Sequence, residues 1–114
     1  MGAGGGRVSD VSGEVEVTRN EDEDRWEARI GGDLAGFAAY HLTDELIVFT
    51  HTEVEPEFEG RGIAAALARA ALDEVAAEGT RKVMPLCPFI KAWIQRHPDY
   101  MGLVYGVSTG ASEG

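Results

Sequence analysis

The stretch from Glu45 to Glu78 constrains this chain more than any other, because a strand, a glycine turn and an amphipathic helix follow one another in it without a spacer. Leu46, Ile47, Val48, Phe49 and Val54 make a β-branched and aromatic run, and Pro56 ends it by removing a backbone donor and biasing Glu55 away from helix. Beyond the turn, Ile63, Leu67, Ala71 and Val75 recur at i+4, flanked by Ala64, Ala68 and Leu72. Arg69, Asp73, Glu74 and Glu78 fall on the other side. That pattern predicts an amphipathic helix over 63–78, stopped by Gly79.

Gly60 and Gly62 stand where the chain turns into this helix, and residues without Cβ let a ligand approach the backbone closely. The first helical N–H groups have no partner inside a helix, and the macrodipole puts partial positive charge there. A pyrophosphate suits such a turn, with Arg61 as a countercharge. Rival phosphate motifs fit poorly. A Walker loop needs a Lys directly after its last glycine, and Ile63 follows Gly62. Ala65 satisfies the third position of a dinucleotide fingerprint, but the acidic residue on a following strand and the further αβ unit that fold needs are not found after it. The same glycines also suit an ordinary strand-to-helix connection, so the turn alone leaves both readings open.

The flanks supply the other elements. Val15 and Val17 alternate with charges over 14–19, and Trp26, Ala28 and Ile30 alternate with Glu27 and Arg29, predicting two half-buried strands. Gly31-Gly32-Asp33 turns into a third strand over 34–42, and Thr43-Asp44 turns into the fourth. The acidic run Glu21-Asp22-Glu23-Asp24 suits a solvated hairpin loop. After the helix, Lys82-Val83-Met84 predicts a short fifth strand, parallel to the fourth through a right-handed crossover. A last helix runs from about Pro88 to Arg96, with Pro98 beyond its end. Nine of the 15 glycines lie outside residues 14–101, so 1–13 and 102–114 are expected to be flexible tails around one domain over 14–101.

Composition narrows the function classes. With 114 residues and 44% hydrophobic content there is room for one domain with a modest core. No apolar run approaches the ~20 residues of a membrane helix. The glycine-rich start lacks the basic and apolar regions of a signal peptide, and Gly6 occupies the Ser/Thr place of a myristoylation motif, so a cytoplasmic protein without membrane attachment is expected. A single cysteine fits a reducing compartment. The net charge of −10 opposes nucleic-acid binding and favours cationic partners, although acidity also serves solubility alone. No His or Cys pair has the spacing of zinc ligands, and no metal is expected.

His51-Thr52-Glu53-Val54, Phe58 to Ala64, Pro85-Leu86-Cys87-Pro88-Phe89-Ile90 and His97-Pro98-Asp99-Tyr100 together closely resemble the small GNAT-like N-acetyltransferase family, over roughly Gly13 to Tyr100. Gly60-Arg61-Gly62-Ile63-Ala64 is similar to its acetyl-CoA pyrophosphate loop, and the Cys87 segment to a signature of its minimal branch. One departure is Glu57, where the broad superfamily carries Gln or Arg three residues before the first glycine. The resemblance implies the minimal form of that α/β (α+β) fold: a mixed, mostly antiparallel sheet of about five strands, a β-α-β acetyl-CoA unit and a C-terminal helix. It implies acetyl-CoA as cofactor and a small-molecule or protein amine as acceptor. It also implies cofactor contacts at Val54, Phe58, Glu59, Gly60, Arg61, Gly62, Ile63, Ala64, Cys87 and Ile90.

Acetyl transfer requires a deprotonated amine, fixed donors for the oxyanion and a proton for the departing thiolate. His51 and Glu53 alternate along the fourth strand and share one face, so either can take the amine's proton; Glu53 is favoured, because carboxylates at this strand end often serve as base in enzymes that look like this one. Cys87 precedes a helix N-terminus and is expected to be partly accessible near the thioester. Direct transfer is favoured over an acetyl-cysteine, so that cofactor contact or leaving-group assistance is its expected role. Ile90, Phe89, Trp93 and Ile94 have core spacing on the last helix, and His97 and His41 suit capping or packing. Tyr100 serves as a proton donor only if the chain returns it to the sheet opening. An acyl-CoA-binding module without catalysis, and an interaction domain in which the glycines are purely structural, are the competing functions. Oligomeric state does not follow from these residues.

Overall fold

A computed structural model describes residues 15–106, and the expected tail over 1–13 lies outside the described residues, as does 107–114. The elements are β1 (Glu16–Asn20), β2 (Arg25–Ile30), β3 (Asp33–Leu42), β4 (Leu46–Val54), a single 3₁₀ turn (Pro56–Phe58), α1 (Ile63–Glu78), β5 (Lys82–Pro85), α2 (Pro88–Arg96) and a second 3₁₀ stretch (Pro98–Leu103). The sheet order is β1-β2-β3-β4-β5, antiparallel throughout except for the parallel β4/β5 pair that α1 connects. This is the mixed five-stranded α+β architecture that the strand and helix periodicities predict.

Both helices share one hydrophobic core on a single face of the sheet. Small residues make the close approach possible: Ala28, Ala35, Ala38, Ala68 and Ala71 are fully or almost fully buried beside Trp26, Phe49, Ile47, Leu67, Leu72, Ile90 and Trp93. Each large aliphatic side chain removed from water in this way contributes roughly 1.5–3 kcal/mol. The polar side of α1 is tied to the sheet rim. Arg19 on β1 pairs with Glu74 at 2.8 Å and with Glu78 at 3.1 Å, and its guanidinium covers the rings of Trp26 and Tyr40. Trp26 Nε1 donates to Glu74 at 3.1 Å.

The opposite face carries Glu27, which is 4% exposed. Burial would raise its carboxyl, but hydrogen bonds from Arg29, Arg25 and Asn20 outweigh that effect and hold it down at about 2. The chain stays ordered beyond the expected end of the domain. Lys82 Nζ donates to the Gly102 carbonyl at 3.0 Å and Tyr105 N–H to the Val83 carbonyl at 2.8 Å, so 102–105 runs beside β5 and covers its edge. That pinning corrects the tail boundary expected from the glycines. Among the described residues no helix is long and apolar enough to cross a membrane.

Candidate active site

The site is built where β4 and β5 part. Their ladder pairs Leu46 with Lys82 through Phe49 with Pro85, and the Cys87 N–H then donates to the Phe49 carbonyl at 2.9 Å. β5 ends there, while β4 continues through Val54 with only β3 beside it. The stretch Thr50–Val54 therefore presents one strand edge with no neighbouring strand among the described residues. Cys87 closes the apex of the resulting gap.

A β-bulge determines which side chains flank the gap. Ala39 pairs with His51 and Tyr40 with Phe49, so Thr50 is an extra residue on β4. Ile47 and Phe49 point into the core, and after the bulge Thr52 turns to the helix side, where its Oγ1 lies 3.2 Å from Cys87 Sγ. His51 and Glu53 consequently emerge on the face without helices, with His51 Nε2 2.7 Å from Glu53 Oε2. Their side chains are 57% and 59% exposed. Phe37 sits opposite Glu53 in the register and edge-on to His51, and Arg25 covers its ring. The two groups expected to take a proton thus lie together on one face of the sheet, and Cys87 lies on the other.

Cys87 is 3% exposed, contrary to the partial accessibility expected at a strand-helix junction. Tyr100 does not reach the gap: its hydroxyl donates to Asp73 on α1 at 2.6 Å, a bond that raises the phenol above its ordinary value. His97 caps α2 as expected, with Nδ1 donating to the Trp93 carbonyl at 2.8 Å and the ring stacked on Trp93. His41 is exposed on β3. Among the described residues there is no group of three metal-ligating side chains.

The glycine turn opens into a groove between α1 and α2. Gly60 and Gly62 have φ of 84° and 75°, left-handed conformations that favour glycine, and a Cβ at either position would meet nothing within 4 Å. The N-terminus of α1 has no side-chain cap and no acidic residue in its first turn. Its leading N–H groups and the free space beside them fit a diphosphate. Of the residues expected to contact a cofactor, Val54, Glu59, Gly60, Gly62, Ile63 and Ala64 line this groove, of about 750 Å³. Phe58 and Arg61 stand beside it, the guanidinium 5.6 Å from the Phe58 ring. Ile90 does not line it: it is 0% exposed within the core, because on a helix the neighbouring position faces the groove, and Phe89 occupies that position.

Further groove residues escape a reading of the sequence alone. Ala65, Ala66, Arg69, Phe89, Trp93, Arg96 and His97 also form its walls. Helical periodicity marks Arg69 only as lying outside the core; that it borders a groove depends on where α2 packs. Gly36, which does not line the groove, also has a role that the sequence alone does not reveal. A Cβ there would stand 2.6 Å from the Glu53 carbonyl and 3.0 Å from Ile63, so its absence lets the start of α1 pack directly on β3 and β4 run close beside it.

The mixed five-stranded sheet, the β4–α1–β5 unit and the groove at the start of α1 together define the architecture, and comparison with known proteins assigns it to a family. The sequence profile of the GCN5-related N-acetyl-transferase family matches residues 25–103, and the chain belongs to that family. Protein NATD1 of Xenopus tropicalis is 30% identical over 91 residues, which cover 78% of this chain and 83% of that protein. The NMR structure of a GCN5-like protein from Staphylococcus aureus superposes with a TM-score of 0.61 at 21% identity, covering 87% of this chain and 96% of the other. The ribosomal-protein-alanine N-acetyltransferase of Brucella melitensis biovar Abortus 2308 gives a TM-score of 0.52 at 20% identity, covering 79% and 67%.

Proposed function

We propose that this protein is an acetyl-CoA-dependent N-acetyltransferase that passes the acetyl group directly to an amine. The observation that carries the reading is the free edge of β4 over 50–54, which meets the groove from Gly60 to Ala64 at Val54. When bound, acetyl-CoA supplies an acyl group activated as a thioester. The α1 amides and Arg61 hold its diphosphate, and the extended backbone of Thr50–Val54 offers hydrogen-bonding groups to an arm entering the gap. Thr52 and Cys87 place a hydroxyl and a thiol proton at the apex, where a leaving thiolate needs one.

Glu53 and His51, joined by one hydrogen bond, hold and accept a proton on the helix-free face. The acceptor is a small-molecule or protein amine, arriving at that face while the cofactor occupies the helix side. The net charge of −10 draws a protonated amine toward the protein. Calorimetry with acetyl-CoA, followed by a thiol-release assay across a panel of amines, tests the proposal. Saturable binding with amine-dependent release of CoA is expected. Binding without turnover would make the protein an acyl-CoA-binding module, and absence of binding would reduce the glycine turn to a structural connection.

A further inference from the structure

The cations of this chain are not distributed like its acids. Among the described residues, Arg19, Arg25 and Arg29 are in ion pairs with carboxylates, and Arg81 and Lys82 donate to backbone carbonyls. Arg61, Arg69, Lys91 and Arg96 make neither kind of contact among those residues, although Asp and Glu outnumber Lys and Arg by 20 to 10. Arg69 and Arg96 line the α1/α2 groove, and both also line an adjoining cavity of about 480 Å³ with His97 and Tyr100. Asp99 is the sole carboxylate on the wall of that cavity. Trp93 fixes the place of this cluster: the Arg69 guanidinium stands 5.5 Å from its ring, and His97 is stacked on it at 3.8 Å.

We propose that Arg69 and Arg96 form a recognition site for the 3′-phosphate of CoA, so that the groove discriminates CoA from its 3′-dephospho form. The inference rests on the CoA reading above and extends it to a substrate feature remote from the chemistry. With the diphosphate at Gly60–Ala64 and the acyl arm directed to Val54 and the gap, the adenosine end continues along the groove to its other end. There Arg69 lies seven residues after Gly62, about 10 Å along α1 at 1.5 Å per residue. A phosphate monoester carries close to two negative charges at neutral pH and accepts planar, paired hydrogen bonds from guanidinium groups. Two arginines without carboxylate partners among the described residues, lining one groove from α1 and α2, match that chemistry.

The test measures binding of CoA and of 3′-dephospho-CoA by calorimetry, to the wild type and to Arg69→Gln, Arg96→Gln, the double variant and Lys91→Gln. Both arginines are exposed, so these variants are expected to fold, which circular dichroism verifies. Wild-type protein should bind CoA about ten- to a hundredfold more tightly than the dephospho form. Each single arginine variant should lose part of that preference, and the double variant should bind the two ligands equally, its dephospho-CoA affinity within about twofold of wild type. Lys91→Gln, removing a cation outside the groove, should retain the preference. Equal wild-type affinities for the two ligands would overturn this inference while leaving CoA binding intact. A preference that survives in the double variant would also overturn it. A wild type that binds neither ligand would overturn the CoA reading and this inference with it.

Discussion

Thr52 Oγ1 lies 3.2 Å from Cys87 Sγ, linking the part of β4 that extends past β5 to the strand-helix junction that closes the gap. The contact places the thiol in a buried, hydroxyl-partnered position at the apex, suited to handing a proton to a leaving group. A nucleophilic thiolate needs instead an accessible setting.

Cys87→Ser should therefore keep turnover within about tenfold of wild type, since a serine hydroxyl preserves a proton donor at the apex. Intact-mass measurement under turnover should show no acetylated protein. A trapped acetyl-cysteine together with an inactive variant would establish the covalent route. Because Cys87 is 3% exposed, alkylation of the native protein should be slow, and saturating acetyl-CoA should slow it further.

Gly62→Val should abolish measurable CoA binding. The branch would occupy the open space beside the α1 amides, and a β-branched residue at φ 75° also strains the turn. Calorimetry reads the loss and a thermal melt checks that the domain persists. An unchanged affinity in a folded variant would remove the diphosphate from this turn.

Glu53→Gln and His51→Ala should each lower kcat, by about 10²-fold or more, with the KM for acetyl-CoA nearly unchanged. Since the two side chains are bonded to each other at 2.7 Å, the double variant should be little worse than either single one. Fully multiplicative effects would show that they act separately, and wild-type turnover in both would move the base elsewhere.

Glu27 sets an acid limit on stability. Its folded-state value of about 2 lies below the ordinary 4.5, so its contribution is fully present above pH 4.5 and is lost progressively as pH falls toward 2. Glu27→Gln should cost about 1–3 kcal/mol at pH 7, where it leaves Arg25 and Arg29 without their carboxylate, and less at pH 3. Urea denaturation across this range measures the difference. A cost that grows on acidification would refute the assigned ion pairs.

Local periodicity by itself determined the elements of this protein and their order. The alternation of Trp26, Ala28 and Ile30, the i+4 spacing of Ile63, Leu67, Ala71 and Val75, and the stops at Pro56 and Gly79 each act within a few residues, so they can be read along the chain. The glycine turn at Gly60 and Gly62 that leads into α1 was legible for the same reason. Only the tertiary structure decided which way the chemistry faces. Strict alternation puts Ile47, Phe49, His51 and Glu53 on one side of β4, and the bulge at Thr50, which exists only relative to β3, sends His51 and Glu53 to the other. Likewise, Cys87 is buried beside Thr52 at the start of α2, and Arg69 and Arg96 share a groove because α1 and α2, which follow β4 and β5, start from the same end of the sheet and pack together. Register and helix packing are pairings between distant segments, and no single segment carries them in its own sequence.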